Sequence, residues 1–494
     1  MKSFVILAGA ALLAASLALA GCGGESISGV RGASIVPASA AAFVAIDSDP
    51  DSTQWQQAEK LASRFPGSED ALGELEDSLR SDAGLDYEED VKPALGPELD
   101  LVWLDFANDG QNVVGLMQPD DPEVFRSAVA RANAKDPSEQ LLFEELDGWM
   151  VMSDKQASID AFKRAVEAGG PVLADDRSFG QAMDDYSSGA IVKAYVSGDV
   201  AMDELRSSVA AEDRDFVDKV GTLEWLALAL RTSDEGIRFD VTVRGTPGSL
   251  LRSAKGTSTP DFELTLPREL PGDVLAYVGF HGVAGTLTDL EDNPALRGPE
   301  LAKVRSILRQ AGVLLEGEGA LYVRPSGGDV PEITLVTRPR AGTDGALTLD
   351  RILEEVELVD QVESAEIAGT HARRLSIDGG LELDYANVGD KLVVTTATAG
   401  IEGVVEPTSA LEHADTFKDA VDASGLPDNV QSFLYLDIRG GLDLVEKLAG
   451  APVPASVAEN VKPLRSAVEY AASRPSEVQV TLFVRIDEPE PETA

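Results

Sequence analysis

The chain presents one series of segments twice, and any fold it adopts must accommodate both. Pro37 to Asp47 (PASAAAFVAID) resembles Pro271 to His281 (PGDVLAYVGFH), a strand entered through a proline turn. Asp147-Gly148 before WMVMSD resembles Gly389-Asp390 before KLVVTT, a hairpin turn and strand leading into a helix. Ser178-Phe179 ahead of IVKAYV resembles Thr416-Phe417 ahead of SFLYLDI. Alternating strands close each series, LEWLALALRT with IRFDVTVRG in the first and VQVTLFVRI in the second. This order predicts an α+β fold: two divergent copies of a mainly antiparallel sheet with packed helices. The copies occupy residues 35–245 and 261–487. Residues 246–260, rich in Gly, Pro, Ser and Thr without apolar periodicity, read as a linker. Residues 488–494 form an acidic, proline-rich tail of disordered character.

Local patterns agree with that plan. Ile237, Phe239, Val241 and Val243 alternate as in a half-buried strand, and Thr232 to Gly236 supplies the hairpin turn before it. Leu301, Val304, Ile307 and Leu308 recur at helical spacing, which predicts a helix with Lys303, Arg305 and Arg309 on its wet side.

The amino terminus indicates the compartment. Lys2 precedes an apolar run, Phe4 to Ala20, that is short for a membrane span and typical of a signal-peptide core. Leu19-Ala20-Gly21-Cys22 then resembles the bacterial lipobox, which makes 1–21 a lipoprotein signal peptide and Cys22 the lipid attachment point. Leu19, Ala20 and Gly21 would be the signal-peptidase recognition residues. Residues 22–34 are small and polar and read as a flexible tether with a reach of roughly 20 Å. The expected location is outside the cytoplasm, on a membrane through a diacylglyceryl anchor.

Charge and residue counts remove several chemistries. There are 86 Asp+Glu against 41 Lys+Arg, a net charge of -45, so binding of nucleic acid through phosphates is excluded. A single cysteine excludes a disulfide framework and a cysteine-rich metal site, and the 3 histidines lie far apart in sequence. No G-x-S-x-G elbow, H-E-x-x-H helix, Walker A loop or complete G-x-G-x-x-G fingerprint occurs. Gly317-Glu318-Gly319 reads as a turn before a strand. Asp47-Ser48-Asp49-Pro50-Asp51 opens like a calcium loop but lacks the glycine and the closing glutamate. Asp51 or Ser52 therefore reads as a helix cap. Glu88-Glu89-Asp90 and Asp184-Asp185 read as solvated faces. Trp55, Trp103, Trp149 and Trp225 stand among apolar neighbours or at a helix start, as core residues do. No catalytic residue, metal site or cofactor is expected.

The ordered set of Pro37 to Asp47, Ser52 to Trp55, Arg64 to Gly67, Gly84 to Asp86, Asp90 to Glu98, Asp147 to Trp149 and Leu173 to Asp176 resembles an uncharacterised bacterial family. That family is catalogued as domain of unknown function 3352 (DUF3352). The resemblance spans about residues 35 to 487 and implies a membrane-tethered protein outside the cytoplasm, with no site attached. The expected function is a non-enzymatic interaction or scaffold module of the cell envelope, acting on an envelope protein. Two alternatives are a carrier of a lipid-like or apolar ligand and a solute-binding lipoprotein of a transporter.

Overall fold

The computed structural model describes residues 30–138, 140–184, 186, 189–208, 222–245, 261–291, 301–326, 328, 330–358, 361–377, 381–474 and 476–488. The chain divides into two compact units. The first comprises Met1–Ala254, Pro475–Gln479 and Ile486–Ala494; the second comprises Lys255–Arg474 and Val480–Arg485. The expected signal peptide, the linker 246–260, tether residues 22–29 and tail residues 489–494 lie outside the described residues.

The first unit is built on β1 (Ala42–Asp47), β2 (Glu98–Trp103), β3 (Val113–Met117), β4 (Leu142–Leu146), β5 (Trp149–Ser153), β6 (Val192–Ser197), β7 (Leu223–Ser233) and β8 (Gly236–Gly245). They pair in the order β4-β5-β3-β2-β1-β6-β7-β8, antiparallel throughout. The β4–β5 turn is Asp147-Gly148 with φ of 49° and 82°, the left-handed pair that a two-residue hairpin requires. Its helices include α1 (Thr53–Ala62), α2 (Pro122–Lys135), α3 (Gln156–Glu167) and α4 (Arg177–Asp184). Asp121 caps α2 by accepting the N–H groups of Glu123 and Val124, with Pro122 in the first turn where no donor is missed.

Both faces of this sheet are covered. Phe43, Val102, Leu116, Tyr195 and Trp225 pack with Ile159 and Phe162 of α3 and Phe179 of α4 on one side. Ile46, Leu99, Met117, Met150 and Met152 pack with Leu79, Tyr87 and Phe125 on the other.

The second unit carries β9 (Ala276–His281), β10 (Glu318–Arg324), β11 (Glu332–Thr337), β12 (Val362–Ile367), β13 (Thr370–Ile377), β14 (Leu381–Val388), β15 (Lys391–Thr395), β16 (Ser432–Asp437) and β17 (Leu464–Arg474). Their antiparallel order is β12-β13-β14-β15-β11-β10-β9-β16-β17. Set aside β12 and β13, and the order from β14 to β17 repeats that from β4 to β7 strand for strand. Helices here include α5 (Ala302–Leu314), α6 (Gly345–Glu355), α7 (Thr398–Val405), α8 (Asp415–Ser424) and α9 (Leu442–Ala449). One sheet face holds the core: Tyr277, Tyr322, Phe433 and Tyr435 pack with Ile401 of α7 and Phe417 of α8. On the other face Leu314, Leu353, Tyr385 and Leu392 form a smaller cluster towards β14 and β15.

Helix α5 forms where its periodicity predicts, with Ile307 and Leu308 partly buried and Lys303 and Arg309 exposed, but Val304 departs from the expected stripe. Val304 is 40% exposed, while Gly312 and Leu314 are buried. Ser306 and Gln310 bond Glu355 of α6, a polar contact with a neighbouring helix beside the apolar stripe.

Candidate functional site

In each unit a buried glutamate opens the second strand at the same register. Glu98 begins β2 opposite Asp47, and Glu318 begins β10 opposite His281. A helical turn of three residues lies before each first strand, Gly32–Ser34 and Leu266–Arg268. Glu98 Oε1 accepts the N–H groups of Arg31 at 2.7 Å and Gly32 at 3.1 Å. Glu318 Oε1 accepts those of Thr265 at 2.8 Å and Leu266 at 2.9 Å. Each carboxylate thus satisfies N–H groups that such a turn leaves without internal partners.

The counter-charge differs. Arg338 Nη1 meets Glu318 Oε2 and donates to Thr265 Oγ1 at 2.6 Å. The same guanidinium pairs with Glu269 and, at 3.2 Å, with Asp390. Among the described residues no ion pair reaches Glu98. Beside it on the same strand face stands Asp100, 0% exposed. Glu98 Oε2 has no hydrogen-bond partner, and the donor that faces Asp100 is the Gly32 N–H, which favours its charged form. Burial first, and the facing Glu98 second, push the Asp100 carboxyl well above its ordinary range. Glu98, for its part, accepts the two N–H groups of the turn. Position 32 has to be glycine, because a Cβ there would stand 1.8 Å from Asp100 Oδ2.

Further titratable groups share this face. Asp47 is pushed up to about 7 by burial, against bonds from Ser52 and Asp49 that lower it. Lys193 on β6, opposite Ala45, is pushed down to about 8 by burial and then by Arg231. A 510 Å³ cleft of the second unit is lined by Glu263, His281, Glu318, Arg338, Arg340 and Asp390. A second, of 670 Å³, is lined by Asp273, Arg324, Glu402 and Glu406. A third, of 580 Å³, is lined by Asp105, Asn112 and Lys155. Each has both charged and small apolar residues in its lining.

The outer face of the second sheet is different. Val278 of β9 stands opposite Leu321 of β10 and Leu434 of β16, and Leu321 stands opposite Leu335 of β11. One level along, Leu436 faces Ala276, and Val323 faces Ala276 and Ile333. Val278, Leu321, Ile333, Leu434 and Leu436 are 37–42% exposed, an aliphatic band across four neighbouring strands. Helix α9 buries no residue and leaves Val445 and Leu448 in solvent. In the first unit the equivalent band, with Val44 and Leu101, packs against the cluster of Leu79, Tyr87 and Phe125.

The sequence-derived candidates fall as follows. Leu19, Ala20, Gly21 and Cys22 lie outside the described residues. Ser52 caps α1 by accepting the Trp55 N–H, the capping role expected there. Among the described residues no group of three or more His, Cys, Asp or Glu is arranged to hold a metal ion. Asp90 departs from a solvated face: it is 8% exposed, pairs with Arg131 and accepts the Asp86 N–H at 2.9 Å. Trp55, Trp149 and Trp225 are buried, and Trp103 is half-buried. Sequence reasoning missed the Glu98–Asp100 pair, because two acids in a chain with 86 give no local signal. The aliphatic band was equally hidden, since β10 reads as apolar on both faces.

A family described as "Protein of unknown function (DUF3352)" matches residues 2–473. No curated protein matches the chain. Crystal forms III, IV and I of TP0453 are similar at 14% identity, with TM-scores of 0.26, 0.25 and 0.24. They cover 46%, 45% and 46% of this chain and 82%, 81% and 81% of that one, a likeness too slight to carry an argument.

Proposed function

This chain belongs to the family described as "Protein of unknown function (DUF3352)", and we propose from its own residues that it is a non-enzymatic interaction module of the cell envelope. In this reading Cys22 carries the lipid anchor, the body lies outside the cytoplasm, and the repeated strand order reflects an internal duplication. The observation that carries it is the aliphatic band of Val278, Leu321, Ile333, Leu434 and Leu436. A contiguous apolar face rimmed by polar residues is characteristic of a protein-binding surface. The occupant is a partner protein with an aliphatic face and a neutral or basic rim. A second copy would bring another net charge of -45 against the first.

The carrier reading draws little from the three clefts, each of which has charged side chains in its lining. The decisive experiment replaces Leu321 and Leu434 together with Asp in the full chain and cross-links it in its own envelope. Loss of one defined protein adduct, at least tenfold, with unchanged circular dichroism supports the proposal. Retention of every adduct overturns it, as does recovery of a lipid or of a homodimer in place of a protein partner.

A further inference from the structure

The two units use the same glutamate on the same kind of turn but neutralise it differently, and that contrast carries a consequence. In the second unit Arg338 supplies a permanent positive charge to Glu318. In the first, no cation of the described residues pairs with Glu98, and a second carboxyl, Asp100, takes that place. The turn held in this way, Gly32–Ser34, is the last part of the 22–34 segment expected as a flexible tether; there the chain is ordered instead, because Ala33 and Val36 are drawn into the core.

We propose that Glu98 and Asp100 form a proton-dependent latch on the amino-terminal turn, closed while one proton is shared and opened when it leaves. The geometry dictates the direction. With the proton on Asp100, its O–H donates to Glu98, and Glu98 keeps the N–H groups of Arg31 and Gly32. Without it, two carboxylates stand side by side at 2% and 0% exposure, with Asp100 Oδ2 against the Gly32 backbone. The least costly relief is for the turn to lift and admit water.

The groups facing the pair are Asp47 from β1, Lys193 from β6 and the Arg31–Gly32 backbone from the turn; Arg231 of β7 acts on Lys193. Burial raises Asp100, so the folded form binds the proton more tightly than the unfolded one. The closed state is therefore favoured at low pH and weakens as pH rises. Asp47, pushed up to about 7, works in the same direction, and its charge adds to the repulsion. Lys193, pushed down to about 8, is protonated below that value and there favours the anions. With the proposed Cys22 anchor in place, opening would add the freed residues to the segment between the anchor and the body.

The test is hydrogen–deuterium exchange on the full chain between pH 5.5 and 9, corrected for intrinsic rates, reading peptides over residues 30–41 and 262–270. The expected result is at least a tenfold loss of protection in the first peptide as pH rises, and a flat profile in the second. Asp100→Asn, whose amide donates to Glu98 without titrating, should hold the first peptide protected across the range. Asp47→Asn should leave the pH dependence in place. A flat wild-type profile overturns the proposal. So does an unchanged pH dependence in Asp100→Asn, or its disappearance in Asp47→Asn. Protection of the second peptide and of residues 113–117 in the first unit's core, in every variant, reports that both units are folded.

Discussion

Asp47 shows what a single buried acid does to the stability of this chain. Its side chain is 1% exposed, Oδ2 has no hydrogen-bond partner, and burial lifts it from 3.8 to about 7. The folded state then binds a proton that the unfolded state releases, so stability falls as pH rises from about 4 to about 7. The slope is at most about 1.4 kcal/mol per pH unit. Asp47→Asn removes the titration while its amide oxygen can still accept the Asp49 N–H. Urea midpoints measured from pH 4 to pH 8 should therefore fall less steeply for the variant than for the wild type. Superimposable profiles would show that Asp47 is hydrated and not buried. Lys193 has the opposite sign: its charge is lost early, at about 8 instead of 10.5, so between those values rising pH favours the folded state.

Adjacent residues of one strand carry the next contrast. Tyr322 points into the core with 0% exposure, and Leu321 points outward at 42%. Tyr322→Ala should cost about 3–5 kcal/mol, the range for removing a large buried aromatic. Leu321→Asp should change stability by less than about 1 kcal/mol. Chemical denaturation of the two variants decides; equal losses would mean that the outer face is covered. Here the limits of sequence reading become physical. The hairpins at Asp147-Gly148, Gly389-Asp390 and Thr232 to Gly236 were legible because turn residues announce themselves. The outer face was not, because β-branched and aromatic residues occupy both sides of a central strand. The paired strands β12 and β13 went unforeseen, as they have no counterpart in the first series. The Glu98–Asp100 contact depends on an N-terminal turn that sits 66 residues from Glu98 in sequence, beyond any local pattern.

At the scale of the whole molecule, a net charge of -45 disfavours contact with anionic lipid headgroups, so the proposed envelope location relies on the proposed lipid anchor and not on the protein surface. Among the described residues no helix is long and apolar enough to cross a membrane. The reading that places the anchor at Cys22 makes a sharp prediction. Each buried CH₂ contributes about 0.8 kcal/mol, so a diacylglyceryl group holds the chain firmly where one acyl chain would exchange. Wild-type protein made in bacterial cells should incorporate labelled palmitate, enter the detergent phase on partition, and begin at a modified Cys22. Cys22→Ser should lose the label entirely and retain residues 1–21, because processing follows lipid attachment. If the wild type is unlabelled and still carries those residues, the apolar run of Phe4 to Ala20 is itself the anchor. The tether then starts from a helix in the bilayer, and a latch that lengthens it still works from that origin.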